Sequence, residues 1–93
     1  SFEGFLPVKK GRTKRLKELS TETKTMVFYE SPHRILKTLN DLSNYFDVES
    51  QISVSRELTK LYEETFRGTI KESVEYFEKN KTKGEFVIVL SPK

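Results

Sequence analysis

Cysteine is absent from the 93-residue sequence, and histidine occurs only once. The lack of cysteine excludes a disulfide scaffold and thiolate metal sites, and a single histidine leaves almost no room for a zinc centre. We therefore predict no metal. No apolar run approaches the roughly 20 residues needed to span a bilayer, and no signal-peptide pattern is present. We expect no membrane partner and a cytoplasmic location.

Aromatic and charged residues are what the chain does contain. Hydrophobic residues make up 34% and charged residues 33%, with seven phenylalanines and four tyrosines. These aromatics are too many for a disordered tail, so the composition predicts one small folded domain with a heavily charged exterior. The missing initiator methionine and a start in mid-pattern at Ser1-Phe2 favour a fragment of a longer chain.

Positive charge is concentrated near the start of the sequence. The net charge is only +3, but no acid interrupts the six basic residues Lys9, Lys10, Arg12, Lys14, Arg15 and Lys17. A patch of this kind attracts polyanions at long range, and its attraction weakens with salt. A solvated loop and helix face explains the charge equally well.

The spacing of hydrophobic residues predicts an α/β (α+β layered) fold. We expect a mixed sheet of about four to five strands packed with about three helices. The apolar run at 26–29 fits a strand buried on both faces, and residues 2–8 are expected to form an ordered but irregular loop. Further strands are predicted at 51–57, 61–68 and 86–90, with helices at 12–20, after Ser31 and after Thr69.

Two helix starts have sequence signals. Ser31 is a good N-cap and Pro32 suits the first helical position, where its missing N–H costs nothing. Thr69 and Glu72 have the spacing of a capping box. The helix after Ser31 has an apolar stripe at helical spacing, formed by Ile35, Leu36, Leu39, Leu42 and Phe46.

Polar residues cluster where the first predicted strand ends, in Glu30-Ser31-Pro32-His33-Arg34. Such positions bind ligands in open α/β sheets, because free N–H groups and the helix dipole converge there. A simple helix cap accounts for Ser31 and Pro32 at least as well. His33 and Arg34 would be cations in a first helical turn, which is electrostatically unfavourable unless an acid or an anionic ligand compensates. This slightly favours function for those two residues.

A second polar cluster, Arg56-Glu57-Leu58-Thr59-Lys60, follows the next predicted strand. It could be an exposed hairpin turn, although hairpins usually turn on Gly, Asn or Asp, and none occurs here. The aromatic and basic residues near the start resemble the combination that holds single-stranded nucleic acid by stacking and phosphate contacts, although this signal is weak by itself. These residues do not by themselves specify a reaction.

Four ordered segments of the sequence resemble the bacterial ribosomal RNA small subunit methyltransferase I family, within the tetrapyrrole (corrin/porphyrin) methylase superfamily. The resemblance runs from Phe2 to about Leu90, so it covers nearly the whole chain. The segments are FEGFLPVKKGR, FYESPHRILKTL, SVSRELTKLYEETFRGTI and KGEFVIVL.

The resemblance implies a two-domain enzyme that uses S-adenosylmethionine to methylate the ribose 2′-hydroxyl of a cytidine in 16S ribosomal RNA. The chain resembles the C-terminal domain of that enzyme. Its partners would be small-subunit ribosomal RNA, its own N-terminal domain and a second copy in a homodimer. The superfamily binds its cofactor between the two domains, so this fragment alone is expected to be inactive.

The resemblance also assigns site residues. Cofactor contacts are implied at the two strand ends. Relatives have a small residue where this chain has the bulkier Leu58. A cofactor contact through the Leu58 backbone only is therefore an open alternative. Candidate bases for the 2′-hydroxyl proton are also proposed. Among these residue types, histidine is the one that normally titrates near neutral pH. The implied cofactor-binding residues are Glu30, Ser31, Leu58 and Thr59. The candidate bases are His33, Glu30, Glu57 and Lys60. The proposed RNA phosphate contacts are Lys9, Lys10, Arg12, Arg34 and Arg56.

Two other functions stay open on the sequence. A sister methylase acting on a tetrapyrrole would share the fold, and tetrapyrrole carboxylates make the basic run only a mild argument against it. A non-catalytic RNA-binding or dimerisation module could also reuse the same fold. Binding of S-adenosylmethionine by the complete chain would separate the enzymes from such a module.

Overall fold

The computed structural model describes residues 1–59, 62–80 and 83–93. Their order is strand, helix, strand, helix, two strands, helix, strand, which confirms the predicted mixed α/β layer. The strands are β1 Phe2–Phe5, β2 Met26–Glu30, β3 Gln51–Thr59, β4 Tyr62–Thr69 and β5 Glu85–Ser91. The helices are α1 Arg12–Leu19, α2 Ile35–Tyr45 and α3 Ile70–Lys79.

The five strands form one sheet in the order β1-β2-β5-β3-β4. β1 pairs with β2 in parallel, and the other three pairings are antiparallel. The last strand of the chain therefore lies in the middle of the sheet. β2 and β3 are joined to the same sheet through β5, which lies between them.

The hydrophobic core lies between one face of the sheet and the three helices. Alternate residues of the strands point into it, and the predicted stripe of α2 supplies much of the opposing surface. Leu36 of that stripe is only partly buried. The fully enclosed side chains include Phe28, Leu39, Leu42, Ile88 and Leu90, each 0% exposed.

Helix α3 begins as the sequence predicts. The Thr69 hydroxyl accepts a hydrogen bond from the Glu72 backbone N–H at 3.1 Å, and the Glu72 carboxylate accepts from the Thr69 N–H at 2.9 Å. This reciprocal capping box satisfies two backbone donors that the first turn leaves without helical partners. It fixes the point at which β4 ends and the chain turns back over the sheet.

Two predictions about the start of the chain and the first apolar run are wrong. Residues 2–5 form a strand, and Gly4 (φ +67°) lies where its register against β2 shifts. β2 is buried on one face only, because the helices cover one side of the sheet. Its residue Tyr29 is 40% exposed on the other side.

The sheet face opposite the helices is open within the described residues. Phe2 and Phe5 of β1 are 64% and 59% exposed there, and both pack edge-to-face against Tyr29, with ring centroids 5.2 and 5.6 Å apart. Such geometry is favourable for aromatic pairs. The described helices include none that is long and apolar enough to cross a membrane.

Candidate functional site

The two polar clusters predicted from the sequence meet at one edge of the sheet. Glu30 at the end of β2 opposes Phe86 of β5, and Phe86 also opposes Arg56 of β3. Arg56 in turn opposes Glu64 of β4. Directly opposed residues project from the same face of a sheet, so these four side chains form one row beneath the helices.

Glu30 is held inside the protein by two donors. It is 1% exposed, and its Oε1 atom accepts hydrogen bonds from the Thr38 hydroxyl at 2.9 Å and from Arg34 Nε at 3.2 Å. A carboxylate oxygen engaged in this way stabilises the packing of α2 on β2. The position gives no support to Glu30 as the base for a substrate hydroxyl, and its predicted cofactor contact stays a prediction.

The segment between β2 and α2 is a turn rather than the first turn of a helix. The Arg34 N–H donates to the Ser31 carbonyl oxygen at 3.1 Å, α2 begins at Ile35, and Arg34 occupies the N-cap position. The predictions of Ser31 as N-cap and Pro32 as first helical residue are therefore wrong. The tight turn delays the start of the helix to Ile35.

Ser31 keeps an unused hydrogen-bonding group as a result of this turn. Its hydroxyl oxygen is buried and has no partner among the described residues. Buried polar groups are nearly always paired, so an orphaned hydroxyl beside a strand end is a place where a ligand atom can bond. Of Glu30 and Ser31, the two predicted cofactor contacts whose side chains the structure describes, Ser31 is the one with a buried side-chain atom that lacks a hydrogen-bond partner.

His33 and Arg34 lie on the outer side of the same turn. His33 is exposed, and the Arg34 side chain is 34% exposed while its Nε atom bonds Glu30. Glu30 compensates the charge of Arg34, so the electrostatic argument for an anionic ligand at this residue no longer applies. Both side chains remain accessible to a large ligand approaching this edge of the sheet.

Arg12 does not occupy the position expected of a phosphate contact. It is 6% exposed, and its Nε, Nη1 and Nη2 atoms donate to Asp41, the Pro7 carbonyl oxygen and Thr38, each at 2.9 Å. Three of the five N–H donors of Arg12 are engaged within the protein and the side chain is nearly buried, which does not support a phosphate contact. We therefore favour a structural role for Arg12, and its predicted phosphate contact stays a prediction.

Lys9 and Lys10, in contrast, are exposed. They lie in the turn that leads into α1, where the Arg12 N–H donates to the Lys9 carbonyl oxygen at 3.1 Å and Gly11 takes a positive φ of 82°. This geometry directs the backbone into the helix while leaving the two ammonium groups in solvent. Both lysines fit the predicted contact with a polyanion.

Arg56 lies within β3 rather than beyond its end. Its guanidinium donates to Glu64 across the hairpin at 2.9 Å, and its side chain is 17% exposed. It lines a small pocket of about 70 Å³ together with Tyr76 and Phe77. The neighbouring acid competes with phosphate for this cation, so Arg56 is a weaker candidate for RNA than the two lysines.

Residues 56–59 of the second cluster belong to β3, which pairs antiparallel with β4. Residues 57–59 continue β3, with Thr59 opposite Tyr62. Lys60 lies outside the described residues, as do the side chains of Glu57, Leu58 and Thr59. Their predicted roles stay predictions.

The sequence reasoning missed two residues that form hydrogen bonds with the predicted site residues. Thr38 is 1% exposed and joins Arg12 to Glu30, and Asp41 pairs with Arg12. A threonine within the apolar face of α2 was a usable signal, because a buried hydroxyl needs a polar partner. Among the described residues no group of three or more histidine or acidic side chains could hold a metal ion.

No family model matches the chain, but curated proteins named ribosomal RNA small subunit methyltransferase I are similar to it along nearly its whole length. It is 46% identical over 92 residues to ribosomal RNA small subunit methyltransferase I of Thermotoga maritima, covering 99% of this chain and 41% of that protein. The proteins of the same name from Synechocystis and Haemophilus influenzae are 44% and 43% identical over 97% and 99% of this chain. The chain covers 33% and 34% of those relatives, so it spans about a third to two fifths of their length.

Solved structures show the same fold at low sequence identity. Cobalt precorrin-4 methyltransferase CbiF, a cobalamin biosynthetic enzyme, superposes with a TM-score of 0.71 at 16% identity. The methyltransferase CobJ gives 0.67 at 15% identity. The matches cover 98% and 99% of this chain and 40% of each neighbour, which confirms the predicted fold. Along nearly its whole length, the chain is thus similar, at 43–46% identity, to one part of the ribosomal RNA small subunit methyltransferase I proteins.

Proposed function

We propose that this chain is the C-terminal domain of an enzyme that methylates the ribose 2′-hydroxyl of a cytidine in 16S ribosomal RNA. The observation that carries the proposal is 43–46% identity across nearly the whole chain to three proteins named as ribosomal RNA small subunit methyltransferases. The exposed Lys9 and Lys10 beside the sheet edge support an RNA substrate. The complete protein would act in the cytoplasm as a homodimer.

The remainder of the enzyme would supply the other wall of the cleft. Relatives and structural neighbours extend well beyond the matched part, which is 33–41% of each relative and 40% of each neighbour. The edge that bears Ser31 and His33 has no facing wall among the described residues. We therefore infer that these 93 residues alone bind the cofactor poorly and are inactive.

The cofactor we propose is S-adenosylmethionine, which supplies an electrophilic methyl group when bound. Ser31 fits such a ligand, because its buried hydroxyl lacks a partner among the described residues and can bond a polar atom of a nucleoside. Backbone groups at the end of β2 can add further bonds. The proposed reaction needs no metal.

The chain's own residues would contribute mainly by positioning the RNA. Lys9, Lys10 and Arg34 would contact phosphates, which holds the ribose in line for displacement at the methyl carbon. Of the two candidate bases whose side chains the structure describes, His33 rather than Glu30 has the exposed position from which a side chain can accept the proton of the 2′-hydroxyl. Excluding water from the cleft requires the second domain.

A tetrapyrrole substrate is less well supported than RNA. The structural neighbours share 15–16% identity with this chain, a level at which they inform only on the fold. The relatives at 43–46% identity have ribosomal RNA in their name. A non-catalytic RNA-binding module remains the alternative for the isolated domain.

Methyl transfer by the full-length protein tests the proposal directly. Purified protein, radiolabelled S-adenosylmethionine and small ribosomal subunits should yield label in RNA, recovered as 2′-O-methylcytidine after digestion. Transfer of label to a precorrin but not to RNA would overturn the RNA assignment. Absence of cofactor binding by calorimetry would overturn the enzyme assignment altogether.

Removing the two exposed lysines should weaken RNA binding in a salt-dependent manner. In the full-length protein, Lys9→Ala/Lys10→Ala should lower the slope of log affinity against log salt by about two units, one for each phosphate that is no longer neutralised. Lys71→Ala/Lys79→Ala removes the same charge from exposed positions of α3 and serves as the matched control. Equal slopes for the two double variants would contradict the assignment.

A further inference from the structure

Arg12 connects three separate parts of the chain. Its three guanidinium nitrogens donate to the Pro7 carbonyl oxygen, which precedes the Lys9–Lys10 turn, and to Thr38 and Asp41 of α2, each at 2.9 Å. The planar fork of arginine fixes these directions relative to one another, which a lysine ammonium cannot do. These bonds hold the Lys9–Lys10 turn at a fixed position along α2.

The hydrogen bonds continue from Arg12 to the turn after β2. The Thr38 hydroxyl has one proton, which it donates to Glu30 Oε1 at 2.9 Å, so it accepts the bond from Arg12. Arg34 donates to the same Glu30 oxygen at 3.2 Å. An unbroken chain of polar contacts therefore joins Pro7 to Arg34 through Arg12, Thr38 and Glu30.

This chain of contacts links the two turns whose side chains we assign to the RNA site. Lys9 and Lys10 lie on one turn, His33 and Arg34 lie on another, and the two turns belong to different crossovers of the sheet. Arg12, Thr38 and Glu30 are each at most 6% exposed, so RNA does not reach the connection itself. Its physical effect is on the relative placement of the two turns.

We propose that Arg12 is a positioning residue that holds the Lys9–Lys10 turn in register with the His33–Arg34 turn, so that both meet the same RNA. The inference rests on the proposed function for the identity of the ligand. The coupling between the two turns does not depend on the proposed function. A buried guanidinium gives little net stability over an apolar side chain of similar size, so the directional bonds are the property that distinguishes arginine at this position.

Thr38→Val and Arg12→Lys test the coupling in the full-length protein. Valine keeps the shape of threonine but removes the link between Arg12 and Glu30, and lysine keeps the charge of Arg12 but loses the fork. Each variant should raise the Kd for a 16S ribosomal RNA fragment about five- to tenfold, with an unchanged salt slope because every phosphate-binding cation is still present. If Arg12 contacts phosphate directly, Thr38→Val will instead retain wild-type affinity, which overturns the proposal.

Hydrogen exchange measured without RNA separates this inference from the proposed function. Amides of both turns should exchange faster in Thr38→Val, while amides of β5 keep their wild-type rates. Ser73→Ala is the matched control, since it removes another fully buried hydroxyl, one that bonds the Ile70 carbonyl oxygen within α3. Unchanged exchange in both turns of Thr38→Val overturns the coupling, whether or not the wild-type protein binds RNA.

Discussion

Replacing Phe86 with alanine is expected to remove about 3–5 kcal/mol from the free energy of unfolding. Phe86 is 1% exposed in the central strand β5 and packs at a right angle against Phe77, with ring centroids 5.6 Å apart. Truncation loses the transfer free energy of the ring and leaves a cavity between sheet and helices. Because small domains are stable by only about 5–15 kcal/mol, this single change should approach the limit of folding.

Urea unfolding followed by circular dichroism measures this loss. Phe2→Ala is the matched control, because it removes the same ring from a position that is 64% exposed on the open face of the sheet. Its expected cost is within about 0.5 kcal/mol, as for most surface substitutions. Equal costs for Phe2→Ala and Phe86→Ala would contradict the placement of the core on the helical side of the sheet.

Asp41→Asn is expected to destabilise the domain although the side chain keeps its size. The carboxylate accepts from Arg12 Nε at 2.9 Å, and the Arg12 side chain is only 7% exposed. Removing one partner of a buried ion pair costs about 3–5 kcal/mol, and with Asp41 itself 20% exposed we expect about 2–4 kcal/mol. The loss arises from a guanidinium left buried without a counter-charge.

Two further variants show whether the burial of Arg12 causes this loss. Lys37→Met removes the other cation near Asp41, at 3.5 Å, but that lysine is 62% exposed and should contribute no more than about 1 kcal/mol. In Arg12→Met/Asp41→Asn the unpaired charge is gone, so the double variant should lose less stability than the two single variants summed. Additive losses would show that the two side chains act independently.

Local signals in the sequence were sufficient for most helices and strands. The capping box at Thr69 and Glu72 and the stripe of α2 depend on neighbours within a few residues, which a sequence displays directly. β1 was missed because a glycine such as Gly4 is typical of loops. In the structure the positive φ of Gly4 accompanies a register shift within a parallel pairing to β2, and that pairing depends on residues far along the chain, such as Phe28 opposite Gly4.

The prediction of the first residues of α2 was wrong for a related reason. Ser31 and Pro32 are favourable at a helix start, but the turn closed by the Arg34 N–H and Ser31 carbonyl oxygen places them before the helix. Tertiary packing decides between these outcomes, because Glu30 is drawn into the interior by Thr38 and Arg34. A pattern confined to this short segment contains no information on that contact.

Part of the candidate site could be predicted, and part could not. The polar clusters that contain Glu30 and Arg56 were singled out from the sequence, and the sheet brings these two residues to one row, while their roles stay predictions. The burial of Arg12 was not predictable from a basic run, because its partners Thr38 and Asp41 lie 26 and 29 residues further along the chain. Charge in a sequence shows how many cations there are, and only the fold shows which of them reach solvent.

The central position of β5 has a consequence for synthesis of the protein on the ribosome. β2 and β3 are not paired with each other, and residues 85–91 hydrogen-bond to both. Until those residues leave the exit tunnel, the nascent chain exposes two inner strand edges, each able to pair with another chain. Folding of this domain therefore cannot be completed before residues 85–91 leave the tunnel, and slow synthesis before residue 85 should prolong the interval in which the nascent chain needs a chaperone.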